Sequence, residues 1–169
     1  LGTLVEYRRE KIGSRWRKET TDFVANSTNA ADKIIPDAGF ALKHRKSGRQ
    51  ALFLIEVDRG TERLTTTQSD AEIVTFTSKL AQYDRYLASG RSKNRFPKLG
   101  RFAGFHVLVI TTSEARIENM RKAARSLPAS FHHLYRFSTL ERVSQSFLHD
   151  GWLNRDHADQ TTHQLIKGN

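Results

Sequence analysis

The hydrophobic positions follow two different periods, and the change between them divides the chain. Residues 34 to 43 and 51 to 58 are dense in apolar side chains and predict two β-strands, joined by His44-Arg45-Lys46-Ser47-Gly48-Arg49-Gln50, the turn-rich link of an antiparallel hairpin. Ala51 to Ile55 is unbroken apolar sequence, the pattern of a central strand buried on both faces. From Gln68 to Ser89 the period lengthens: Ile73, Phe76, Leu80, Tyr83 and Leu87 lie 3, 4, 3 and 4 apart, one face of a long amphipathic helix that Gly90 stops. Phe105 to Ile110 predicts another buried strand, and Thr112-Ser113-Glu114 caps a helix over residues 114 to 126 that Leu127-Pro128 closes. A strand over residues 131 to 137 and a helix over residues 139 to 148 follow. At the start, Leu4 to Tyr7 predicts a short strand running into a basic polar loop through Lys18, and residues 24 to 33 predict a polar loop. This order predicts an α/β fold, a mixed sheet flanked by helices. One domain is expected over residues 1 to 153, with a polar, disordered tail over residues 154 to 169.

Composition adds a partner. Among 169 residues, 28 are Lys or Arg and 18 are Asp or Glu, a formal net charge of +10 that favours polyanions and above all DNA, through counterion release at phosphates. No stretch reaches the roughly 18 to 20 apolar residues of a spanning helix, and no signal-peptide pattern opens the chain, so no membrane partner is expected. The absence of Cys excludes disulfides and thiolate chemistry and fits a cytoplasmic location. Because the chain opens on Leu1, a longer protein with a domain upstream is expected. Oligomeric state leaves no mark in the sequence.

The chemistry concentrates in the hairpin. Pro36-Asp37 lies in its first strand and Glu56-Val57-Asp58 closes its second. Side chains two apart on a strand share a face, so Glu56 and Asp58 project together. Grouped carboxylates repel unless a cation or proton lies between them, and Mg²⁺ or Mn²⁺ suits such oxygen ligands. Metal ligation by Asp37, Glu56 and Asp58 would serve phosphodiester hydrolysis. The competing reading makes Asp37 a turn residue and pairs Glu56 and Asp58 with Arg59 and Arg63. Residues 91 to 101 carry Arg91, Lys93, Arg95, Lys98 and Arg101 with no acid, an exposed loop suited to DNA phosphates, and Arg59 is a further phosphate contact. His132-His133 lack zinc-ligand spacing, and Trp16 and Trp152 read as core or interface anchors.

Ile35-Pro36-Asp37-Ala38, then Phe53 to Glu62 (FLIEVDRGTE), then Lys79-Leu80-Ala81-Gln82-Tyr83 and Val107 to Arg116 (VLVITTSEAR) resemble the replication-relaxation family of plasmid and mobile-element proteins. That family is itself similar to the PD-(D/E)xK nucleases. The resemblance, over roughly residues 4 to 140, implies a restriction-endonuclease-like core with Asp37 and Glu56 binding metal, and partners among plasmid relaxation or replication proteins. It also exposes a departure: the nucleases place Lys two positions after the second acid, where this chain has Asp58. Lys79, at the edge of the helix's apolar stripe, is the candidate to supply that charge, with a solvated lysine as the competing reading. Two functions stay open, a Mg²⁺- or Mn²⁺-dependent DNA endonuclease and a DNA-binding accessory domain that does not cut.

Overall fold

A computed structural model of the chain describes residues 3–4, 9–12, 15–18, 22–24, 32–43, 48–66, 74–94, 102–148 and 151–165, with backbone alone at residues 3–4, 9–12, 15–18, 23 and 94. The strands are β1 (Thr3–Leu4), β2 (Arg9–Ile12), β3 (Arg15–Lys18), β4 (Asp22–Phe23), β5 (Lys33–Ile34), β6 (Ala38–Lys43) and β7 (Gln50–Val57). After the helix α1 (Phe76–Ser89) come β8 (Phe105–Thr111), α2 (Glu114–Ala123), β9 (Tyr135–Thr139), α3 (Leu140–Gln145), β10 (Trp152–Leu153) and β11 (Thr162–His163). A seven-stranded sheet has the order β1-β6-β7-β8-β9-β10-β11. It is mixed, antiparallel at β6–β7 and parallel at β8–β9, and helices flank it, as the sequence predicts. Two compact units divide the chain, Leu1–Ile55 with Gln82–His106 and Glu56–Ala81 with Val107–Asn169.

In the first unit β6 and β7 form the expected hairpin, in register from Ala38↔Ile55 to Lys43↔Gln50. Leu52, Phe53 and Leu54 are buried and the Phe40 and Phe53 rings stack at 4.9 Å, so the apolar run is a central strand. The predicted strand over residues 34 to 43 is broken, however. Ile34 ends β5, Pro36 has no N–H for a ladder, and Asp37 resumes the pairing by donating its N–H to the Ile55 carbonyl at 2.8 Å. Where a basic loop was expected through Lys18, β2 and β3 pair antiparallel with Ile12 opposite Arg15. Both strands are mostly charged and show no apolar alternation, so hydropathy does not reveal them.

The second unit holds the parallel pair β8–β9, with Val107↔Tyr135 and Val109↔Phe137 buried together. Ser113 caps α2 as predicted, its side chain accepting from the Arg116 N–H at 3.2 Å. The strand predicted over residues 131 to 137 begins only at Tyr135, because residues 129–134 wind as a 3₁₀ turn after Pro128, and His132-His133 lie on that turn. Over residues 154–165 the polar segment is structured. Trp152 is fully buried, β10 pairs with β11, and Arg155 is buried with its guanidinium 4.3 Å from the Tyr135 ring centroid. Arg121, also buried, donates to the Asp156 and Asp159 carbonyls and so ties that segment to α2. Two cation anchors replace the apolar ones a tail would need, which is why hydropathy alone suggests disorder.

Candidate functional site

The site grows from the two ends of one strand–loop–helix passage in the second unit. β7 carries its apolar run outward to Glu56, which is only 6% exposed, while Val57 turns to solvent at 49%. A buried carboxylate requires a compensating charge. It comes from α1, whose first turn is set by a reciprocal cap: the Thr75 N–H donates to Ser78 Oγ at 2.9 Å and the Ser78 N–H to Thr75 Oγ1 at 3.2 Å. One turn inside that cap, Lys79 Nζ lies 3.2 Å from Glu56 Oε2 and 3.2 Å from Glu62 Oε1. Burial would lower the Lys79 pKa, but the facing charges of Glu56 and Glu62 outweigh it and hold the ammonium above its ordinary value.

Asp58 belongs to a different constellation. It is 7% exposed, and Arg116 grips it with two nitrogens, Nε to Oδ2 at 3.0 Å and Nη2 to Oδ1 at 3.1 Å. Thr111 Oγ1 donates to Oδ2 at 2.8 Å and the Gly60 N–H at 3.1 Å. Burial alone would raise the Asp58 pKa, yet the Arg116 and Thr111 hydrogen bonds prevail and depress it. Lys79 thus faces Glu56 and Arg116 faces Asp58, each cation coming from a helix distant in sequence. Arg59 is exposed in the turn at Gly60, whose φ of +82° only glycine adopts without strain.

Asp37 lies in the first unit, half-buried immediately before β6. Arg91 and Lys93 are exposed in the same unit on a 3₁₀ turn, Arg91–Asn94, while Arg95, Lys98 and Arg101 lie outside the described residues. Glu62, Arg116 and Thr111 escaped sequence reasoning. Nothing in the spacing joins Lys79 to Glu62, 17 positions earlier, or Asp58 to an arginine 58 positions away.

Glu56 and Glu62 are two carboxylates converging on one cation, the Lys79 ammonium. Among the described residues no group of three or more His, Cys, Asp or Glu is placed to hold a metal, and no helix is long and apolar enough to cross a membrane. No curated protein and no solved structure gives a significant match to the chain. A family model described as replication-relaxation matches residues 3–99, more than half of the 169 residues. The protein is accordingly a member of the replication-relaxation family.

Proposed function

We propose that the chain is a DNA-processing domain acting in plasmid or mobile-element replication or relaxation, in which Glu56 and Lys79 carry phosphodiester hydrolysis. The observation behind this reading is the 3.2 Å contact between Lys79 Nζ and Glu56. It returns to the second acid the cation that its own strand lacks, from a helix and not from two positions downstream. Glu56, with Asp37 as its expected partner, would hold Mg²⁺ or Mn²⁺. That ion supplies Lewis-acid stabilisation of phosphate charge and a more acidic water. Lys79, positively charged at neutral pH, stabilises negative charge developing on the phosphate or the attacking oxygen. Arg59, Arg91 and Lys93, exposed and basic, hold the DNA backbone without reading its bases, together with Arg95, Lys98 and Arg101. Other plasmid replication or relaxation proteins are the expected partners.

The PD-(D/E)xK likeness belongs to this reading. Supercoiled, linear and branched DNA incubated with the protein in Mg²⁺ or Mn²⁺ tests it, with Asp37→Ala and Glu56→Ala alongside. Cleavage abolished in both variants is the expected result. A second reading, a DNA-binding accessory domain, is favoured by one observation: Asp58, standing where a nuclease has Lys, is consumed by Arg116. Binding without cleavage in either metal would select it.

A further inference from the structure

We propose that Asp58 and Arg116 form a positioning clamp whose work is to hold the loop of residues 58–64 so that Glu62, a further site residue, stands against Lys79. The loop is tied at both ends. At its start the Asp58 carboxylate accepts from the Gly60 N–H at 3.1 Å, and the backbone N–H of Asp58 donates to the Ile110 carbonyl of β8 at 2.9 Å. A Cβ at Gly60 would stand 3.4 Å from Thr112 Oγ1, so the chain passes close to the β8–α2 turn. At its end the Phe76 N–H donates to the Arg63 carbonyl at 2.9 Å, and Thr77 reaches the Leu64 carbonyl with its N–H at 3.1 Å and its hydroxyl at 3.0 Å. Glu62 lies between these ties, and its carbonyl accepts from the same Arg116 Nη2 that binds Asp58.

One guanidinium thus joins three places: the carboxylate after β7, the backbone of Glu62, and its own helix α2. A planar fork can do this where an ammonium cannot, because its donors point in set directions. Asp58 and Arg116 act on the site through the loop backbone. The acid at the position of the missing lysine then has a defined use, orienting Arg116 instead of polarising water. The clamp deepens the reading of Glu56 and Lys79 as the reactive pair, on which it rests, and it predicts a geometry measurable whether or not DNA is cut.

Zero-length carbodiimide coupling of the whole protein, with the amide products mapped by peptide mass spectrometry, reads that geometry. The wild type should give both Lys79–Glu56 and Lys79–Glu62 products. Asp58→Asn should lose Lys79–Glu62 and keep Lys79–Glu56, with circular dichroism showing the variant folded. A merely structural role would weaken both products together, and that result overturns the clamp. So does a Lys79–Glu62 yield equal to wild type. If Asp58→Asn does not fold, Arg116→Lys carries the same expectation, since it keeps a cation by Asp58 but loses the fork that reaches Glu62. Where the wild type cleaves DNA, the folded variant should lower kcat and leave KM unchanged, whereas failure of cleavage in the wild type bears on the hydrolytic reading and leaves the coupling pattern to decide the clamp.

Discussion

Lys79 and Asp58 are each held in the charged state by buried contacts, and their titrations run in opposite directions. The Lys79 pKa is raised, so its contribution is complete at neutral pH and is lost only as pH climbs above about 10.4 and through the raised value. Replacing Lys79 by Met should cost about 1–3 kcal/mol at pH 7 in urea denaturation, because the buried Glu56 loses its ammonium. Asp58 has a depressed pKa, so its contribution is complete above about pH 4 and disappears as pH falls through the lower folded value. Asp58→Asn should therefore be less stable than wild type at pH 7, with the difference shrinking in strongly acid solution; parallel melting curves from pH 7 to pH 2 check this. Reading the sequence alone, Glu56 is legible because five apolar residues precede it, and Lys79 because helical phase sets it beside Leu80. The separate fates of Glu56 and Asp58 are not legible. Their partners come from α1 and α2, and only the folded register decides which cation meets which acid.

Among the elements, those with strong period are the ones sequence locates well: the β6–β7 hairpin, β8, α2 and the body of α1. The start of α1 shows what competes with periodicity. Val74 and Thr75 lie ahead of the helix, and the Thr75–Ser78 cap starts it at Phe76, one turn before Lys79. Thr75→Ala should destabilise the protein by about 1 kcal/mol in thermal or urea unfolding. Gly90 ends the helix with φ +68°, as the sequence predicts. The elements missed have no apolar rhythm to reveal them. β2 and β3 are mostly charged, and the segment after Trp152 is packed through Arg121 and Arg155, residues whose burial depends on acceptors supplied by distant backbone.

For the whole molecule the net charge of +10 is the property most exposed to test. Binding to a polyanion through phosphate contacts weakens steeply with salt, and the slope reports how many contacts are made. Replacing Arg91, Lys93, Arg95 and Lys98 with Ala should lower DNA affinity and flatten its salt dependence, whereas an unchanged slope would remove these residues from the interface. Family membership and charge point as far as DNA; the proposed hydrolysis rests further on Glu56, Lys79 and the expected metal ligand Asp37. The most direct measurement is single-turnover cleavage of supercoiled DNA in Mg²⁺ or Mn²⁺ by the wild type and Lys79→Met, with DNA binding followed on the same samples. The wild type should convert supercoiled DNA to nicked or linear product, while Lys79→Met binds equally and cleaves slower by about 10² or more. Wild-type protein that binds DNA but leaves it intact in both metals, or Lys79→Met that cleaves at the wild-type rate, would contradict the proposed hydrolysis.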